Sequence, residues 1–83
     1  MTSPDPDVTK TFWRILGRVL GRPITPGSYQ RDELPEWDSL RHIELIFELE
    51  EAMGLQIDPD AIAELYSSTD ALLDYLARHG AAT

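Results

Sequence analysis

Apolar residues recur at helical spacing along most of the chain, and no useful stretch alternates as a strand would. Val8, Phe12, Ile15, Leu16 and Val19 follow the i, i+4, i+7, i+8, i+11 order of one helical stripe. Gly21 followed by Pro23 ends that segment. A second helix is predicted from Ser39 to Met53, with Gly54 as its C-cap. Leu40, Ile43, Ile46, Phe47 and Met53 form one broad apolar face there, with Leu45 and Leu49 further round. Such a helix expects neighbours on more than one side. Asp58-Pro59 opens a short third helix to about Tyr66, with Ile62 and Leu65 facing inward. The last helix runs from about Thr69 to His79, carrying Leu72, Leu73, Tyr75 and Leu76, and Gly80 ends it. These elements predict an all-α fold. It is a small four-helix bundle with a long loop between helices 1 and 2 and a short third helix, the element most free to move.

The chain of 83 residues makes one domain. Residues 1–7, rich in Pro and Asp, read as a disordered leader, residues 8–80 as the domain, and residues 81–83 as a frayed tail. The connection from Gly21 to Trp37 is long for a compact domain. A short helical turn around Tyr29 to Leu34 is expected within it, with Ile24, Tyr29 and Leu34 as anchors. The start at Met1 without a linker reads as a free-standing protein. No cysteine is present, so the chain has no disulfide and no thiol of its own. The N-terminus has neither a basic region nor an apolar run, and no stretch is long enough to span a membrane, so a cytoplasmic location is expected.

The net charge of −8 opposes nucleic-acid binding, which needs clustered Lys and Arg. Its distribution says more. Lys10 to Arg31 holds five basic residues and no acid, whereas Asp32 to Glu64 holds eleven acids and a single base, Arg41. A chain so polarised steers basic partners onto its acidic half. Lys10, Arg14, Arg18 and Arg22 recur every fourth residue on one face of the first helix, which reads as a solvated face. On the second helix Arg41, Glu44, Glu48 and Glu51 gather on the strip left by the apolar residues.

At the start of that helix, Asp38 is a good N-cap, able to accept from the first free amides, and Pro35 keeps the approach extended. Ser39 then occupies the first helical position. A phosphate ester there is favoured by the helix dipole and the unpaired amides. Taken locally, Asp38-Ser39 is no more than a pair of capping residues.

The flanks add a resemblance. Asp38-Ser39-Leu40, then Ile43-Glu44-Leu45-Ile46, then Leu49-Glu50 is similar to the signature of acyl and peptidyl carrier proteins, and the similarity extends from Val8 to Arg78. It implies that Ser39, within the motif Asp38-Ser39-Leu40, is esterified with the phosphopantetheine of coenzyme A by a phosphopantetheinyl transferase. The arm's thiol then carries an acyl or aminoacyl thioester among a loading enzyme and downstream enzymes. The same resemblance implies that Glu44, Glu50 and Glu51, within the strip that includes Glu48, meet basic residues of partners, and that Leu40 and Phe47 make apolar contacts with them. Two departures stand out: Arg41 replaces an acid usual in bacterial fatty-acid carriers, and Trp37 replaces a small residue. They point to a specialised pathway, of polyketide or nonribosomal-peptide type, whose partners read Trp37 and Arg41; packing the loop on the helix is the ordinary role for such a Trp. Phe47, Ile57, Ile62 and Tyr66 are candidates to line a cargo cavity, and a large buried Tyr or Phe there would favour a short cargo.

Other functions find less in the sequence. His42 lies three residues from Ser39, but no third residue is marked to orient it, so a self-contained hydrolase is not expected. Asp58-Pro59-Asp60 lacks the ligand alternation of a calcium loop, and His42 and His79 have no zinc-type spacing, so no metal is expected. The alternative is an unmodified acidic adaptor that binds a basic protein through its second helix. A monomer is the expected state in either case.

Overall fold

The computed structural model describes residues 6–79. They form four α-helices, α1 (Pro6–Leu20), α2 (Ser39–Met53), α3 (Pro59–Leu65) and α4 (Thr69–Arg78), with a 3-10 turn at Arg31–Glu33. Among the described residues there is no strand, only an isolated antiparallel bridge between Gln30 and Ser68. The helix α1 starts at Pro6, ahead of the apolar stripe at Val8, so residues 6 and 7 belong to it rather than to a leader. Residues 1–5, the Gly80 stop and the tail over 81–83 lie outside the described residues.

Phe12, Ile15 and Leu16 of α1 share one buried cluster with Leu45, Ile46 and Leu49 of α2 and Leu72 and Leu76 of α4. Trp13, off the α1 stripe, is also buried. It packs edge-on to Phe12 at 5.0 Å and to Tyr29 at 6.0 Å between ring centres, because the long loop folds back over it. Ile24 and Leu34 anchor that loop in the core, and Tyr29 is half-buried against it. A Cβ on Gly17 would stand 3.1 Å from the Arg22 carbonyl oxygen, so the bare helix surface there is what lets the chain return.

The loop satisfies its backbone on the start of α4. Thr69 N–H donates to the Tyr29 carbonyl at 2.9 Å, Tyr29 N–H to Thr69 Oγ1 at 3.0 Å, and Arg31 N–H to the Ser67 carbonyl at 2.8 Å. Thr69 is wholly buried, and this pairing is the reason a polar side chain is tolerated there. At the other end of α2, Gly54 takes the left-handed conformation (φ 67°) that closes the helix. Asp58 caps α3 by accepting from Asp60 N–H, and Ser68 caps α4 by accepting from Ala71 N–H.

One expectation fails on α2. Its apolar residues do not all find neighbours: Leu45, Ile46 and Leu49 are buried, but Leu40, Ile43 and Phe47 are 67%, 41% and 65% exposed. Leu40 stands at the α1 edge beside Arg18 and Val19, and the seven-residue α3 reaches that side only at Ile43 and Phe47. No helix among the described residues is long and apolar enough to cross a membrane.

Candidate functional site

The helix α2 begins as its capping chemistry dictates. Asp38 is extended (φ −101°, ψ −177°), its Oδ1 accepts from Arg41 N–H at 2.9 Å, and its carbonyl accepts from His42 N–H at 2.9 Å. Ser39 is therefore the first helical residue, and it is exposed. Beside it runs a groove of about 420 Å³ lined by Ser39, His42, Ile43, Pro59, Ile62, Ala63 and Tyr66, between α2 and α3. A second groove of about 610 Å³ brings Phe47, Ile57 and Ile62 together with Tyr75 and His79. The four cargo-cavity candidates thus divide between two surface grooves that share Ile62. Phe47 stands at a rim, and Ile57 is core.

Under the Ser39 groove lies a connected aromatic and polar group. Trp37 is only 2% exposed, so it is not a partner contact, and the expectation that partners read it is corrected. Its place is taken up by packing: the ring lies 5.9 Å from His42 and 5.9 Å from Tyr66. Its indole Nε1–H donates to His42 Nδ1 at 3.1 Å. An indole can only donate and a carbonyl can only accept, so His42 carries its proton on Nε2 and donates it to the Ile62 carbonyl at 2.7 Å. Tyr66 O–H closes the set by donating to the Trp37 carbonyl at 3.2 Å. Burial holds the His42 pKa below the usual imidazole value, against the Ile62 carbonyl hydrogen bond, which raises it. Both ring nitrogens are engaged, so His42 has no lone pair to offer Ser39.

The charged strip is rearranged relative to expectation. Arg41 Nη1 donates to the Val19 carbonyl at 2.5 Å, filling one of the open carbonyls at the C-terminal end of α1, while its Nε lies 3.8 Å from Glu44. Glu50 is half-buried and its Oε2 accepts from Ile57 N–H at 2.8 Å, so it ties down the α2–α3 loop. Glu48 pairs with Arg18 of α1, and Arg22 forms a fork with Glu36 at 2.5 and 3.2 Å. The Arg22 hydrogen bond, followed by a backbone bond, keeps the Glu36 carboxyl below its ordinary range. Glu44 and Glu51 remain exposed on α2 beside the apolar stripe Leu40, Ile43 and Phe47. No cluster of three or more potential ligands able to hold a metal ion occurs among the described residues.

An acyl carrier protein of Rubrobacter xylanophilus is 45% identical over 56 residues, covering 68% of this chain and 67% of that protein. The chain belongs to the acyl carrier protein family. No family model and no solved structure matches it. The protein is accordingly a carrier and not an enzyme. The sequence left the role of His42 unassigned although its signal was present: residues 42, 45, 46 and 49 make the buried stripe, and His42 is its polar member. The structural duties of Arg41 and Glu50 had no such signal, because both depend on where other segments leave open backbone groups.

Proposed function

We propose that Ser39 bears phosphopantetheine and that the arm's thiol carries a short acyl or aminoacyl group among the enzymes of a specialised biosynthetic pathway, of polyketide or nonribosomal-peptide type. The observation that carries this reading is the exposed Ser39 at the first position of α2, flanked by the exposed stripe Leu40, Ile43 and Phe47. In the loading step the Ser39 oxygen forms a phosphodiester with the pantetheine phosphate of coenzyme A, its proton leaves, and the nucleotide half departs. The residues fit the group: a helix N-terminus suits a phosphate, and the almost wholly apolar groove beside Ser39 gives the arm a surface. The prosthetic group supplies the thiol this chain lacks.

A phosphopantetheinyl transferase and the loading and downstream enzymes are the partners. They meet Leu40, Ile43 and Phe47 with Glu44 and Glu51, with Arg41 and Glu48 half-exposed at the α1 side. A short cargo follows from the closed seam at His42 and Ile62, which bars a long chain from passing between α2 and α3. The carrier acts as a monomer in the cytoplasm. The test is intact mass after incubation with coenzyme A, magnesium and a broad-specificity phosphopantetheinyl transferase, beside Ser39→Ala. One phosphopantetheinyl addition, absent from the variant, is expected. No addition to the folded protein would leave Ser39 merely the first residue of α2 and favour an unmodified adaptor.

A further inference from the structure

We infer that Trp37, His42 and the Ile62 carbonyl form a proton-sensitive latch that holds α3 onto α2 beside Ser39. The two hydrogen bonds of the His42 ring join three parts of the chain: the loop before α2, α2 itself and the body of α3. They are compatible only with the neutral ring. A second proton must go on Nδ1, and an Nδ1–H then confronts the Trp37 Nε1–H, donor against donor, in a buried site.

Of the groups around the ring, only the Ile62 carbonyl, which accepts from either form, favours the cation. Trp37 offers a donor, Ile62 a neutral carbonyl, and Tyr66 a ring 4.8 Å away. The Arg31 guanidinium, from the 3-10 turn, already lies 4.7 Å from the Tyr66 ring centre. On α2 itself, the Asp38 carboxylate is taken by the Arg41 amide and Glu44 lies beside the Arg41 guanidinium. Burial and the opposed indole N–H outweigh that one bond, so protonation is relieved by letting the ring reach water, and the Ile62 bond is given up with it. The helix that must give is α3, with seven residues and little stability of its own. Its release widens the groove lined by Ser39, Ile43, Ile62 and Tyr66.

Use of this opening to admit cargo rests on the function proposed above; the latch itself does not, and it is tested on the unmodified chain. The expected size follows from linkage. An open-state imidazole with an ordinary pKa of about 6.5 is roughly tenfold stabilised by protonation at about pH 5.5, so the open fraction of α3 rises about tenfold. Hydrogen exchange corrected for intrinsic rates, read as protection of residues 60–65 relative to α1, measures it. Wild type should lose about tenfold in that ratio from about pH 7.5 to about pH 5.5. His42→Gln, whose amide still donates to Ile62 but does not titrate, should not. Should that variant fail to fold, Trp37→Phe serves: without the opposing indole N–H, the His42 ring in the folded protein takes its proton at higher pH by NMR, and the pH response of α3 shrinks. A wild-type ratio independent of pH, or the same acid loss in His42→Gln, would overturn the latch. A chain that takes no phosphopantetheine yet shows the acid loss would keep the latch and remove the carrier reading.

Discussion

Ile46 and Phe47 are neighbours on α2, equally apolar in sequence, yet their truncation should have very different consequences. Ile46 is 1% exposed within the buried core cluster, so Ile46→Ala removes buried carbons and leaves a cavity. Such changes cost about 2–5 kcal/mol. Phe47 is 65% exposed, so only about a third of its surface is withdrawn from water. Full burial of a Phe contributes about 1.5–3 kcal/mol, so Phe47→Ala should cost about 0.5–1 kcal/mol. For 83 residues at roughly 0.05–0.15 kcal/mol each, total stability is about 4–12 kcal/mol. Ile46→Ala therefore takes a large share of it, and Phe47→Ala a small one. Urea unfolding followed by circular dichroism reads both as midpoint shifts at constant slope. Equal losses in the two variants would refute the outward placement of Phe47. Should the expected separation be found, Phe47→Ala is also the folded variant in which slower transferase modification reports a lost partner contact.

Three other outcomes are expected. Asp38→Ala should cost about 0.5–2 kcal/mol by removing the cap on Arg41 N–H, whereas Ser39→Ala should stay within about 0.5 kcal/mol while abolishing modification; thermal melts beside intact mass separate the two. Because the folded His42 pKa is lowered, the unfolded chain binds more protons below about pH 6.5, so stability is present above that value and is lost as pH falls through it. Melting temperatures of wild type should drop more than those of His42→Gln between about pH 7.5 and pH 5.5. Finally, the pairs Arg18–Glu48 and Arg22–Glu36 already offset part of the acidic self-repulsion. Added salt should thus raise the melting temperature less in wild type than in a double variant carrying Arg18→Gln and Arg22→Gln, as a salt titration by calorimetry would show.

Much of this molecule is local, and the local part is legible along the chain. The spacing of Val8, Phe12, Ile15 and Leu16, the Asp38 cap, Gly54 and Asp58-Pro59 each act within a turn or two of the backbone. They determine the helices and place Ser39 at the start of α2 whatever packs around it. The long connection also announces its anchors, since Ile24 and Leu34 have nowhere to go but the core.

What periodicity does not decide is which of two apolar faces on α2 is covered. That choice depends on the neighbours: Leu45, Ile46 and Leu49 join the buried cluster, in which α1 is the main partner of α2, while the short α3 leaves Ile43 and Phe47 largely to solvent and Leu40 stays exposed at the α1 edge. Charged residues are decided in the same way. Arg41 goes to the Val19 carbonyl and Glu50 to the Ile57 amide because those backbone groups end up unpaired within reach. Trp37 and His42, five residues apart, become one buried unit only once α3 brings the Ile62 carbonyl to the imidazole. The sequence alone determined the helices and the position of the serine. Only tertiary contacts, which join groups distant along the chain, decided what surrounds it.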